Sequence, residues 1–176
     1  MSTKFVDNKY IEEFADGDSI MKKCILQIKD ILKKEATSLS ADDKNALDLF
    51  SNQEGINLDD VKDRKKLECQ SADIVAIIGD KEVLIADAKL NTSGGSSLYQ
   101  NQGKKPKGQY QDSIQILKSN PKFSSMGLTP NPDLVIILPS NDFEVIKNKM
   151  TRCNLNHPQL LSLRIRDFFE EYFNNN

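Results

Sequence analysis

The order of apolar and polar positions divides the chain into helical stretches at both ends and strands in the middle. Residues 7–16 place Tyr10, Ile11 and Phe14 on one helical face and end at Gly17. Residues 19–35 carry an apolar stripe of Ile20, Met21, Cys24, Ile25, Ile28, Ile31 and Leu32, with lysines opposite, which predicts one long amphipathic helix. Ser40-Ala-Asp-Asp43 resembles a capping box and predicts a second helix to about residue 52, with Leu47 and Phe50 buried. A loop over 55–60 and a short first strand over 67–70 follow. From 71 to 89 the chain reads Ser-Ala-Asp-Ile-Val-Ala-Ile-Ile-Gly-Asp-Lys-Glu-Val-Leu-Ile-Ala-Asp-Ala-Lys. Two apolar runs around Gly79-Asp80-Lys81 predict a hairpin of buried strands. Beyond a polar loop over 91–108, a helix is expected over 109–119, with Tyr110, Ile114 and Leu117 as its stripe and Asn120-Pro121 as its stop. Residues 132–139 read as a buried strand running parallel to a core strand. Helices are expected over 141–150, packed by Phe143, Ile146 and Met150, and over 158–173. The aromatic stripe of that last helix reads as core packing.

The 176 residues suit one domain with its own core: a helical amino-terminal part to about residue 60, a core over about 65–140, and carboxy-terminal helices over 141–173. Helices before, between and after strands predict an α/β sandwich with a mixed central sheet and helices on both faces.

Three charges interrupt the apolar hairpin. Asp87 and Lys89 are two apart on one strand and share a face. Pairing through the turn returns Asp73 to the side of Asp87. Two carboxylates set among valine and isoleucine repel one another and are costly to bury, and a divalent cation is the usual remedy. A hard ion such as Mg²⁺ or Mn²⁺ takes one or two carboxylates together with waters and phosphate oxygens. Lys89 would then position an attacking water or meet charge developing on a phosphoryl group. An Asp-x-Lys at the solvent edge of a sheet is the simpler account of the pair alone.

An Asp opening one core strand, then thirteen residues, then Asp87-Ala88-Lys89 in the next, resembles the PD-(D/E)XK nuclease superfamily. The likeness is confined to residues 71–90 and the order of elements around them. Ala72 stands where the family has Pro, and Asp87 where Glu is commoner. The resemblance implies a restriction-endonuclease-like fold and metal-dependent hydrolysis of phosphodiester bonds, with DNA as substrate and RNA left open. It implies Asp73, Asp87 and the Ala88 carbonyl as metal ligands and Lys89 as the group serving the water. A further acid is expected from an earlier element. Glu68 is the candidate, with Glu13, Asp43 and Glu54 as alternatives. A Gln from the following helix often supplements such sites, and Gln109 is preferred over Gln111.

Charge distribution sharpens this picture. The chain carries a net −2, yet residues 62–139 hold 11 basic against 8 acidic side chains, so the segment with the candidate site is the basic one. The run Lys62-Asp63-Arg64-Lys65-Lys66 is either a solvated face or a phosphate-facing rim. Residues 91–108 hold four of the eight glycines together with Lys104, Lys105 and Lys107, either a backbone-gripping loop or a solvated linker. Tyr99 and Tyr110 flank it and could stack on bases. Pro132-Asp133 is a literal Pro-Asp pair, but Glu144 and Lys147 behind it are three apart and share no strand face, so this segment is rejected as a catalytic pair.

Three scattered cysteines exclude a disulfide scaffold or zinc cluster and suit a reducing compartment. The single His157, before Pro158, reads as a helix-entry residue and leaves little for histidine triads. No apolar run approaches the ~18 residues of a membrane span, and Met1-Ser-Thr-Lys-Phe-Val lacks a signal core, so a cytoplasmic protein without membrane partners is expected. A homodimer is compatible with this size. The competing reading is a nuclease-like scaffold that binds protein without catalysis, as an inhibitor, immunity or assembly subunit. The filled motif positions weigh against it.

Overall fold

The computed structural model describes residues 5–79, 81–91, 105–152 and 159–175. Six strands form one open sheet in chain order: β1 (Ile25–Gln27), β2 (Glu54–Asn57), β3 (Ile74–Ile78), β4 (Glu82–Ala88), β5 (Thr129–Leu138) and β6 (Gln159–Arg164). β1 to β4 are antiparallel neighbours, whereas β4, β5 and β6 run parallel. The protein is therefore α/β with a mixed sheet. Parallel neighbours need crossovers, and these are supplied by α6 (Lys105–Lys118) with α7 (Lys122–Ser125), and by α8 (Phe143–Arg152).

Strand alternation divides the core in two. Val75, Ile77, Val83, Ile85, Leu134 and Ile136 pack with Ile11 and Phe14 of α1 (Asn8–Ala15), Val61 of α5 (Leu58–Lys65), Leu117 of α6 and Ile146 of α8. Ile74, Ala76, Leu84, Ala86, Val135 and Ile137 pack on the other face. Their partners are Ile28 and Ile31 of α3 (Ile28–Lys34), Leu47 of α4 (Ala41–Leu47) and Phe168 of α9 (Ile165–Tyr172). Helices thus cover both faces. Phe50 centres an aromatic group, with ring centroids 5.8 Å from Phe168, 5.3 Å from Phe169 and 5.2 Å from Phe173, so the carboxy-terminal aromatic stripe is core.

The hairpin pairs as expected, from Ile74 opposite Ala86 to Ile78 opposite Glu82, and Gly79 opens its turn at φ +58°. The strand at 132–139 is β5, parallel to β4. α6 begins at Lys105, four residues earlier than expected, with Pro106 in its first turn, where a missing N–H costs nothing. Ser40 caps α4 by accepting from Asp43 N–H at 3.2 Å.

Five expectations need correction. Residues 19–35 form α2 (Ser19–Lys23), β1 and α3 rather than one helix, because Ile25-Leu26-Gln27 pairs antiparallel with β2. The expected helix from Ser40 to residue 52 stops at Leu47 and tightens into a 3₁₀ turn at Asp48–Phe50. Residues 55–60 are strand and helix, since β2 bridges β1 and β3 and Asn57 then caps α5 through Asp60 N–H. No strand forms over 67–70; the connector before β3 runs there. Finally, residues 159–164 pair with the edge of β5 before α9 starts, so the expected last helix is a strand followed by a shorter helix. At 25–27 and 159–164 an apolar spacing compatible with a helix was claimed by a neighbouring strand whose backbone groups needed partners.

Candidate metal-carboxylate site

The site lies at one end of the sheet, where β3 begins and β4 ends. Asp73 immediately precedes β3, and its N–H donates to Ala86 O at 3.1 Å. Continuing the register by one residue sets Asp73 opposite Asp87, on the face that carries Val75 and Ile85. Asp73 Oδ2 accepts from Ala88 N–H at 2.7 Å. Strand groups of one residue point the same way, so the Ala88 carbonyl also faces the Asp73 side. Asp87 is 1% exposed. Its Oδ2 is paired with Lys89 Nζ, and its Oδ1 accepts from Gln109 Nε2 at 3.2 Å.

Two further acids close the cluster. Glu35 follows the last turn of α3, and Asp59 sits in the first turn of α5. Glu35, Asp59 and Asp73 each offer an oxygen, and the three lie within 4.8 Å of one another. Ser71 Oγ donates to Asp59 Oδ1, and Lys62 Nζ reaches the same oxygen at 3.3 Å. Gln109, at the first turns of α6, ties the cluster to the opposite wall by donating also to Ser71 O at 3.3 Å. Among the described residues its buried Oε1 has no hydrogen-bond partner.

Electrostatics follow from this crowding. Burial first, and the Asp87 carboxylate second, push Asp73 up to about 9. Burial raises Asp87 as well, opposed by Lys89 and by its hydrogen bond with Asp73, so the pair holds a proton between them near neutral pH. Burial, then Asp59 and Asp87, raise Glu35. Burial works to lower the Lys89 ammonium, but Asp87, then Asp73 and Glu35, hold it above its ordinary value. The donor set is all hard oxygen, without His or Cys, and carries more negative charge than Lys89 and Lys62 can balance. That is the chemistry of a Mg²⁺, Mn²⁺ or Ca²⁺ site, and the residues present fit such an ion.

Of the residues singled out from the sequence, Asp73, Asp87, Ala88, Lys89 and Gln109 are brought together. Glu68 is not: it is exposed on the connector before β3, and the place expected for it is taken by Glu35 and Asp59. Glu13 is exposed on α1, Glu54 opens β2, and Asp43 is spent on Ser140 N–H and Oγ. Gln111 is exposed, as is Lys107 in the first turn of α6. Lys104, Tyr99, the stretch 92–104 and His157 lie outside the described residues, as does the side chain of Lys105. The Tyr110 hydroxyl donates to Asn131 O at 2.6 Å, and the ring packs against the core. Asp59 was hidden because its surroundings read as a loop, although Asn57 followed by two acids is a helix-start signal. Nothing local marked Glu35.

Searches against family models, curated proteins and solved structures found no match to this chain. Among the described residues, no helix is long and apolar enough to cross a membrane.

Proposed function

We propose that the protein is a divalent-metal-dependent nuclease that hydrolyses phosphodiester bonds of DNA. The observation that carries this reading is the meeting of Asp73 and Asp87 across the hairpin with Lys89 on Asp87, joined by Glu35 and Asp59. We read the sheet and its flanking helices as restriction-endonuclease-like, the arrangement that the Asp73…Asp87-Ala88-Lys89 spacing implies, and the site of action as cytoplasmic.

Asp73, Glu35 and Asp59 would hold a cation, Mg²⁺ or Mn²⁺ by preference, with Asp87 and the Ala88 carbonyl beside them. When bound, such an ion supplies Lewis-acid polarisation of a phosphodiester and acidifies water. The chain's own groups do the rest. Lys89, four-fifths buried and held charged by Asp87, places a fixed positive charge where phosphoryl charge develops. Gln109 holds the Asp87 carboxylate in orientation, and Ser71 with Lys62 does the same for Asp59. Helix and sheet walls on both sides keep these charges in a low-dielectric setting, where each is worth more than in water.

The test is direct. Purified protein is incubated with linear, circular and single-stranded DNA, with Mg²⁺ and with chelator. Metal-dependent cleavage is expected, and Asp87→Ala should abolish it without unfolding the chain. An Asp87→Ala protein that cuts as well as wild type would overturn the mechanism.

A further inference from the structure

A cavity opens beside the cluster, on the α3–α4 side of the sheet end. It encloses about 280 Å³ and is lined by Thr37, Ser38, Ser40, Asp43, Asn91, Asn141 and Asp142. Leu90 and Pro139 supply apolar wall. Thr37 is two residues beyond Glu35, and Leu90 directly follows Lys89, so two chain segments run from the cluster into the cavity within ~7 Å.

The walls are tied in place. Asn91 Oδ1 accepts from Thr37 N–H at 2.7 Å and from Thr37 Oγ1 at 3.0 Å, bridging the segment after α3 to that after β4. The buried Asp43 accepts from Ser140 N–H at 3.0 Å and from Ser140 Oγ at 2.6 Å, bridging α4 to the end of β5. Asp142 stands at the rim with φ +59°, a left-handed conformation that a non-glycine residue adopts at some cost. Such strain is retained at functional sites more than elsewhere.

The lining decides the ligand class. Among the described residues it contains hydroxyls, amides and the carboxylates of Asp43 and Asp142, with no lysine or arginine, so it does not suit the charge of a phosphate group. It does suit sugar hydroxyls and the donor edges of a base, with Leu90 and Pro139 against a flat face. Its volume falls just under the ~300–1,000 Å³ usual for small-molecule sites. A space of this volume is matched to one nucleoside rather than to a base pair with its two sugars.

We infer that this cavity, set beside Glu35 and Lys89, is a subsite for the single unpaired nucleoside next to the scissile phosphate. This rests on the nuclease reading of the neighbouring cluster. It makes single-stranded or frayed nucleic acid the favoured substrate, since a nucleoside must leave its partner to enter.

Deoxyadenosine, which carries no phosphate and needs no metal, is the probe. It is titrated into the full chain and followed by amide NMR. Shifts are expected at Thr37, Leu90, Asn91 and Asn141, and Asn141→Trp or Ser38→Trp, each filling the cavity from an exposed position, should weaken binding at least tenfold. The same variants should lower cleavage of single-stranded DNA at least tenfold. The inference is overturned if no shifts appear at these residues, if both variants bind as wild type does, or if closed circular duplex is cut as fast as single strands. Nucleoside binding without any metal-dependent cleavage would instead overturn the nuclease reading and leave the cavity assigned to nucleosides.

Discussion

Asp73 and Asp87 face one another across the β3–β4 hairpin, where burial and the nearby acids Glu35 and Asp59 favour a proton shared between their carboxyls. This contact explains why the site is costly without a cation to offset its charge. A divalent ion must displace the shared proton, because a carboxyl ligates well only when ionised.

Metal affinity should therefore rise with pH. Below the value of about 9 held by Asp73, one proton is released for each ion bound, and Mn²⁺ affinity should climb about tenfold per pH unit between pH 6 and 8. Calorimetry in two buffers of different ionisation enthalpy counts the proton. A pH-independent affinity would show that Asp73 is no ligand.

The same shift has a consequence for stability. The folded carboxyl of Asp73 titrates far above its ordinary 3.8, so the native state binds more protons than the unfolded one between about pH 4 and 9. Metal-free protein should lose stability as pH rises through that window. Asp73→Asn, which cannot ionise, should raise Tm at pH 8 more than at pH 5, while cleavage is lost. Thermal scans in chelator at the two pH values check it.

Lys89→Ala should both silence cleavage and destabilise the fold. Its ammonium is the cation paired with the fully buried Asp87, and removing one partner of a buried pair costs ~3–5 kcal/mol. Urea unfolding at pH 8 measures the loss. Adding Asp87→Asn to the variant should recover most of the stability and none of the activity.

Ser71→Ala is the test of the acid that the sequence concealed. Ser71 Oγ fixes Asp59 without joining the cluster, and such supporting hydrogen bonds are worth about 10–100-fold in metal affinity. A Mn²⁺ titration of this variant that matched wild type would show that Asp59 does not serve the ion.

Away from the site, Gly55→Val should unfold the protein more readily. A Cβ at Gly55 would lie 3.0 Å from the Val75 carbonyl oxygen and 3.3 Å from Ile28 Cγ1, so a larger side chain has to push α3 off the sheet. Overpacking of this kind costs ~1–3 kcal/mol, read as a lower urea midpoint.

The apolar runs of 74–78 and 82–88, the turn at Gly79, and the alternation that places Asp87 with Lys89 and returns Asp73 beside them were all determined locally. Each follows from strand periodicity and a tight turn, which need no distant partner. Gln109 was within reach of the same reading because a helix after β4 must come back over its end. What the tertiary structure alone decided is the fate of residues 25–27, 54–57 and 159–164, whose spacing fits helix or loop until an unpaired strand edge offers backbone hydrogen bonds. It alone also decided the company of Asp73. Glu35 and Asp59 lie 38 and 14 positions upstream, on helices of opposite layers, and no periodicity couples residues that meet only where two layers close over the end of a sheet.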